Sequence, residues 1–514
     1  MICLMKYLRM PEWIALILGG LTYFSFAPYR YFWLMPLLFA GLIYLMIRHE
    51  HKAVRLAYCW GFSAYLIHNY WVYISLHDVG GLPAVLAMPM TALFPLYLAL
   101  YPALSAWITR RMHTFSTSVR YGLIFPLAWT FGEYLRHWAL TGFGWGALGY
   151  SQMAVDSPLL GLTPVGGIFL VTLATAFCGA WLAMLLLPQT WKIRPTWALG
   201  ILLLCVLSGS LKNISWTKDD GSLTRVALVQ GNVAQTLKFD PDYIQQNIQS
   251  YYDEIRQIHD ADIVILPESA IPVLRESLPV EILHNFAEVA KKNQFSLAVG
   301  MIQLTPERNG YQNVVFHMTE EAFRQPENHY YAKNHLVPFG EFRPLPAITA
   351  WIYQLMNMPL SDFSSGGKGQ MPLHLGNQKV AFNICYEDSF GDELIASAKQ
   401  STMMANVSNM GWFGRSNAMN LQLQHAQARA LENGRYLVRA TNNGMTAVVN
   451  PQGKITALIP RDTKQILKAP IKGFQGETPY MEMGGSLPLI LGIGWLLVVL
   501  GFWNFKRKTT HKRG

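Results

Sequence analysis

The sequence predicts an α-helical membrane bundle of about eight transmembrane helices joined to one large, layered α/β domain. Three observations carry that prediction. The 514 residues are 51% hydrophobic and only 14% charged, against about 25% charged in soluble chains. The deficit is uneven, with apolar blocks filling residues 12–211 and 486–505 while residues 212–485 have ordinary soluble composition. Within 212–485, short β-branched runs alternate with amphipathic stretches. The expected organisation is a membrane domain over 1–211 with seven spans, a water-exposed domain over 212–485, and a final span with a basic tail over 486–514.

A spanning helix needs about 20 predominantly apolar residues. Apolar blocks run near 12–27, 31–47, 57–74, 82–108, 121–135, 164–187, 197–211 and 486–505, the fifth and seventh being short. Lys6 and Arg9 precede the first block as in a signal peptide, but no small-x-small cleavage site follows. A retained signal anchor is expected.

The formal net charge of +10 does not mark a nucleic-acid-binding face. Lys6 and Arg9, Arg48, Lys52 and Arg55, Arg110, Arg111 and Arg120, and Lys192 and Arg194 occupy one alternate set of short loops. The other set holds little beyond Arg30 and Arg136. That asymmetry is the positive-inside pattern. With an even span count both termini face the cytoplasm, as the tail residues Lys506 to Arg513 also require, and the domain at 212–485 lies on the opposite side.

In that domain, strands are expected at Arg225–Gln230, Asp262–Pro267, Ser296–Ile302, Asn313–Met318, Lys379–Cys385, Met403–Ser408, Arg435–Thr441 and Met445–Asn450. Helices are expected at Asp240–His259, Val280–Asn293, Phe390–Lys399 and Asn417–Asn433. Several strand runs are continuously apolar, as in sheets covered on both faces. The apolar stretch 347–360 is too short to span. It reads either as a buried helix under a loop or as a lid against lipid.

Four of the five cysteines, Cys3, Cys59, Cys178 and Cys205, lie at the amino terminus or in apolar blocks and read as small hydrophobes. Cys385 stands alone in the polar domain, so it is a buried structural thiol or a reactive one. It ends the apolar run VAFNIC; Glu268 follows the strand in DIVILPES, and Lys333 lies in the loop HYYAKNHLVPFGEFRP. Ligands of α/β sheets collect at the carboxyl ends of strands, so these three residues can converge. Alone, each has an ordinary reading as loop or core residue. Together they supply a thiolate nucleophile, a carboxylate base and an ammonium for an oxyanion.

Glu, Lys and Cys in that order, in PES, YxKxxLVPFGE and ICYED contexts, resemble the nitrilase superfamily. VQGN at 229–232, LVPFGEFRP at 336–344, NVSNMGWFG at 406–414, RATNNG at 439–444 and TGFGWGALGYSQ at 141–152 are similar, more narrowly, to the apolipoprotein N-acyltransferase family. The resemblance extends over essentially the whole chain. It implies a nitrilase-like α/β/β/α sandwich with catalytic Glu268, Lys333 and Cys385. It also implies acyl transfer from a phospholipid, typically phosphatidylethanolamine, through a Cys385 thioester to the α-amino group of a diacylglyceryl-cysteine at a lipoprotein amino terminus. The setting it implies is the inner membrane, with the large domain periplasmic, and a monomer is expected. Glu341, Tyr386 and Glu387 match supporting positions. Phe239, Trp412, Phe413 and Trp145 match substrate-facing aromatics, although many members have tryptophan where this chain has Phe239. His425 falls in a shifted position and receives no role.

No metal-ligand cluster or phosphate loop is evident, so no metal and no cofactor are expected. Two other readings compete. A membrane-anchored amidase would use the same three residues and release its acyl group to water. A transporter or scaffold would need intramembrane charges lining a path, and Glu133 is the one obvious example.

Overall fold

The computed structural model describes residues 10–344, 362–487, 490, 492 and 494. The stretch 347–360, most of the last apolar block, the basic tail, Cys3, Lys6 and Arg9 lie outside the described residues. The chain divides into two compact units, one of residues 69–91 and 215–481, the other of residues 1–68, 92–214 and 482–514.

The unit containing residues 215–481 is built on two sheets. The strands of the first are β1 (Lys218–Gln230), β2 (Ile263–Ile265), β3 (Ile271–Leu274), β4 (Ser296–Leu304), β5 (Tyr311–His317) and β6 (Tyr330–Ala332), joined by β13 (Gln465–Gln475). Their order is β13-β1-β2-β4-β5-β6, with β3 pairing β4. The second sheet contains β7 (Leu373–Leu375), β8 (Gln378–Ile384), β9 (Met403–Ser408), β10 (Leu437–Thr441), β11 (Ala447–Val449) and β12 (Ile455–Leu458) in the order β12-β11-β10-β9-β8-β7.

Three apolar cores stack these sheets into four layers. Val226, Leu228, Ile263, Ile265 and Val315 of the first sheet pack against Val380, Phe382, Ile384, Ala405 and Val438 of the second. The outer face of the first sheet is covered by α1 (Pro241–Arg256) and α2 (Val280–Asn293) through Ile248, Tyr251, Leu283 and Phe286. That of the second is covered by α3 (Gly391–Lys399) and α4 (Ala418–Asn433) through Leu394, Leu423 and Ala426. The continuous apolar runs follow from this, because β2, β8 and β9 face a core on each side.

Strand directions place the site. β1, β2 and β4 run parallel. β5 reverses and β6 reverses again, so β6 points the same way as β2. The residues after β2 and β6, Glu268 and Lys333, thus emerge at the same end of the sheet, the carboxyl end of both strands.

Some strands had no expectation in the sequence. β13 carries Pro470, which cannot donate to a ladder, and it sits at the sheet edge, where a missing N–H is tolerated. β1 is longer than expected because its polar first half continues the antiparallel pairing with β13 as far as Lys218↔Gln475. β3, β6, β7 and β12 have only three or four residues each, too few for a periodicity to register.

In the other unit, helices occupy Met10–Leu21, Leu34–Arg48, Ala53–His68, Leu100–Arg111, Phe125–Trp138, Thr163–Leu186 and Arg194–Leu211. Among the described residues, three helical stretches are long and apolar enough to cross a membrane: Ala84–Arg111, Leu160–Leu186 and Trp191–Leu211. Within the block expected at 57–74 the first helix ends at His68, and after a turn at Asn69 and Tyr70 helical structure resumes over Trp71–Tyr73 and Ile74–Val79. Residues 69–91 group instead with the sandwich, where Trp71 packs edge-on to Phe413 at 4.7 Å and Ser75 Oγ donates to the Trp412 carbonyl at 2.7 Å. A hydrophobic count cannot separate an aromatic that faces lipid from one that packs on another aromatic.

Glu133 is buried and fully engaged. Its carboxylate accepts from Trp129 Nε1 at 2.9 Å, the Leu148 N–H at 3.0 Å and Thr172 Oγ1 at 3.1 Å. It ties a helix to the 141–152 loop and lines no path.

Candidate active site

β2 is followed by Leu266-Pro267, and the chain turns at Glu268, with Ser269 at φ +48°. The turn lies against β4 at Gly300, where a Cβ would overlap the Pro267 carbonyl and the Glu268 Cα. Only glycine allows that approach. The Glu268 carboxylate is held from both sides. Oε1 accepts from Asn313 Nδ2 at 2.7 Å, and Oε2 accepts from the Asn409 backbone N–H at 2.8 Å. Asn409 is fixed in turn by Gln235 and Asn442.

Lys333 follows β6 and is 1% exposed. Its Nζ lies 2.8 Å from Glu341 Oε1 and 3.6 Å from Glu268 Oε1. Burial pulls this ammonium down, but Glu341, Glu268 and Cys385 outweigh it and hold the group above the ordinary lysine range. Glu341 also accepts from Asn313 Nδ2 at 3.2 Å and from the Val337 N–H at 2.8 Å. One asparagine therefore bridges the two carboxylates.

Cys385 leaves β8 at φ +55°, a left-handed conformation uncommon for a residue with a side chain. Its carbonyl is held by Gln422 Nε2 at 2.8 Å and Asn406 Nδ2 at 3.2 Å. Burial pushes the thiol well above its usual range and Glu268 pushes further, while Lys333 opposes both. A thiol with these neighbours stays protonated until a base removes its proton.

Glu387, two residues on, locks this turn to the Lys333 loop. Its carboxylate accepts from the Tyr331 hydroxyl at 3.0 Å and from the N–H groups of Ile384 at 2.6 Å, Asn334 at 2.7 Å and His335 at 3.0 Å. Burial raises it to about 7 against the pull of those N–H groups. Asp388 is paired with Arg439 at 2.7 Å, and burial raises it to about 6. His425, which had no role in the sequence reading, meets Ser389 Oγ at 2.9 Å through Nδ1 and pins the same turn to α4.

The aromatics are distributed. Tyr386 packs on Phe390 at 5.0 Å, and Phe390 stacks on His335 at 3.6 Å. Trp412 and Phe413 form the turn after β9 and rest on residues 71–75. Phe239 is half-buried beside Lys238. Trp145 belongs to the other unit, buried, its carbonyl accepting from Arg136 at 2.8 Å.

Several polar residues of the centre escaped the sequence reading: Asn313, Asn406, Asn409, Gln422 and Lys238. Asn406 and Asn409 had a signal, as amides at the end of an apolar strand. Asn313, Gln422 and Lys238 are single polar positions in otherwise unremarkable segments. Among the described residues no cluster of His, Cys, Asp or Glu is arranged to hold a metal.

A buried thiol flanked by a carboxylate and an ammonium suits attack on an acyl carbon. Comparison with known proteins gives the family. Residues 225–480 match the carbon-nitrogen hydrolase family, and residues 18–181 match the apolipoprotein N-acyltransferase N-terminal domain. The chain is 50% identical to an apolipoprotein N-acyltransferase of Neisseria meningitidis over 96% of both chains. It is 47% identical to one of Chromobacterium violaceum, over 97% of this chain and 94% of the relative. A relative of the same name from Nitrosomonas europaea is 37% identical, over 96% of this chain and 98% of its own. With a nitrilase-like sandwich, helices apolar enough for a membrane and full-length relatives of one kind, the chain belongs to the apolipoprotein N-acyltransferase family, membrane acyltransferases of the carbon-nitrogen hydrolase superfamily.

Proposed function

We propose that the chain moves a fatty acyl group from a phospholipid to the α-amino group of a diacylglyceryl-cysteine at a lipoprotein amino terminus, in two steps through Cys385. The observation that carries this is the buried cluster of Glu268, Lys333 and Glu341, joined by Asn313 and bearing on the ionisation of the buried Cys385 thiol. In the first step Glu268 takes the thiol proton and Cys385 Sγ attacks the ester carbonyl carbon. Lys333, with backbone N–H groups following Cys385, stabilises the tetrahedral oxyanion. The ester C–O bond breaks, and the lysophospholipid alkoxide leaves with the proton from Glu268. In the second step the acceptor amine gives a proton to Glu268 as its nitrogen attacks the thioester carbonyl. The C–S bond breaks, the amide is released and Cys385 regains its proton.

Glu341, Glu387 and Tyr386 support this centre in our reading. Phe239, Trp412 and Phe413 offer apolar surface to acyl chains and headgroup. Phosphatidylethanolamine is the proposed donor, and no cofactor takes part. We place eight spans in the inner membrane, the large domain on the periplasmic side and both termini in the cytoplasm, on the strength of the basic loops.

The test is intact-mass analysis of the purified protein in detergent with phosphatidylethanolamine, followed by addition of a diacylated lipopeptide. A fatty-acyl adduct on Cys385 should form and then discharge onto the peptide amine. Discharge to water at the same rate without peptide would favour a hydrolase instead.

A further inference from the structure

Lys238 is 3% exposed, at the end of a short helical turn (Gln235–Lys238) after β1. Its Nζ donates to the backbone carbonyl of Glu268 at 2.8 Å. Among the described residues no carboxylate oxygen lies within ion-pair distance of it. A buried ammonium with a neutral acceptor is expensive, and a hydrogen bond to a carbonyl needs no charge. The position therefore calls for an electrostatic reason.

That reason lies in the surroundings. The charged groups that face the Cys385 thiol are Glu268, Lys333, Glu341 and Asp388. Asp388 is neutralised by Arg439, which leaves two carboxylates and one ammonium. Lys238 restores the balance: it is buried, its Nζ is bound to the Glu268 backbone at 2.8 Å, and Glu268 and Cys385 are the groups that hold its charge. We propose that Lys238 is a positioning residue that supplies a second ammonium to this centre, clamping the Glu268 turn through its carbonyl and lowering the cost of a thiolate at Cys385. The inference rests on the acyl-enzyme reading above.

The proton ledger is simple. When Cys385 passes its proton to Glu268, one negative charge moves from carboxylate to sulfur, and Lys238 faces both ends of that transfer. Burial brings its own ammonium down to about 8, against the pull of Glu268 and Cys385. It is charged at neutral pH and loses that charge as the pH rises through about 8.

The test compares wild type with Lys238→Met, Lys238→Gln and Lys238→Arg in the full-length protein. The first readout is the pH midpoint for iodoacetamide alkylation, followed on the Cys385 peptide. The second is the rate of acyl adduct formation from phosphatidylethanolamine in detergent micelles. Removing a nearby opposite charge moves a thiol by about one pH unit. Lys238→Met should therefore raise the midpoint by about one unit and slow acylation at neutral pH about tenfold. Lys238→Arg should recover most of both. Lys238→Gln, which keeps a donor for the Glu268 carbonyl without the charge and stands in if Lys238→Met misfolds, should resemble Lys238→Met. A folded Met or Gln variant with the wild-type midpoint and rate overturns the role of Lys238. Failure of wild type to form any adduct on Cys385 overturns the acyl-enzyme reading instead, and the alkylation midpoints still decide the question for Lys238.

Discussion

Glu341, not Glu268, is the nearer anionic partner of Lys333: its Oε1 lies 2.8 Å from Nζ, against 3.6 Å for Glu268 Oε1. The ammonium is thus anchored chiefly by Glu341, and in the proposed mechanism Glu268 is the carboxylate that cycles between its charged and neutral forms. Glu341→Gln should separate position from acidity. Because Glu341 raises the Cys385 thiol, the variant should alkylate at lower pH than wild type. It should nevertheless acylate more slowly, since Lys333 loses its closer anchor. A faster enzyme would show that Glu341 acts on the thiol alone.

Cys385→Ser should keep the fold and membrane insertion but lose acyl transfer, because a hydroxyl beside a carboxylate is a much weaker nucleophile than a thiol. Cys59→Ala, Cys178→Ala and Cys205→Ala should each stay active. Acyl transfer by Cys385→Ser at a substantial rate under turnover conditions would remove the nucleophile assignment.

Glu268 and Lys333 should differ in their response to pH. Glu268→Gln removes the base, but it also removes a charge that raises the thiol. Alkaline pH should therefore rescue the variant in part, as thiol and amine ionise unaided. Lys333→Met should lower both steps by about 10²–10³, the usual cost of an oxyanion donor, with no alkaline rescue. Single-turnover formation and discharge of the thioester, followed from pH 7 to 9, distinguishes them. Equal rescue of the two would reverse their roles.

Gly300→Ala should lower activity without touching a reacting group, because the added methyl meets the backbone at Pro267 and Glu268. A cost of about 1–3 kcal/mol in stability is expected for overpacking of this kind. Gly209→Ala, where a Cβ meets nothing within 4 Å, is the control. Activity assays with thermal unfolding of both variants make the comparison.

The proposed orientation is open to reporter fusions. Fusions after Arg120, Gln189 and Lys508 should mark the cytoplasm, and fusions near Asp78 and Asp219 the opposite side. A cytoplasmic signal at Asp219 would place the sandwich away from the lipoprotein substrate.

Much of this molecule is local information and was legible in the chain. The apolar blocks are a property of composition. β2, β8 and β9 read as strands because a buried parallel strand is apolar at every position, and α2 is bounded as its amphipathic pattern predicts. Glu268 and Cys385 were conspicuous because each stands at the end of a legible strand run, where the backbone turns and a side chain can be presented, whereas Lys333 stood in a loop whose strand, β6, is too short to register. What tertiary structure decided is nonlocal. β13 is a strand only because β1 lies beside it to pair with. Residues 69–91 read as parts of membrane spans, yet they group with the sandwich and pack on Trp412 and Phe413. Glu387 gains its importance from four donors on two separate stretches of chain, and Lys238 gains its own from one carbonyl thirty residues away. A single polar residue carries no periodicity, so its role exists only once folding has brought its partners within hydrogen-bond distance.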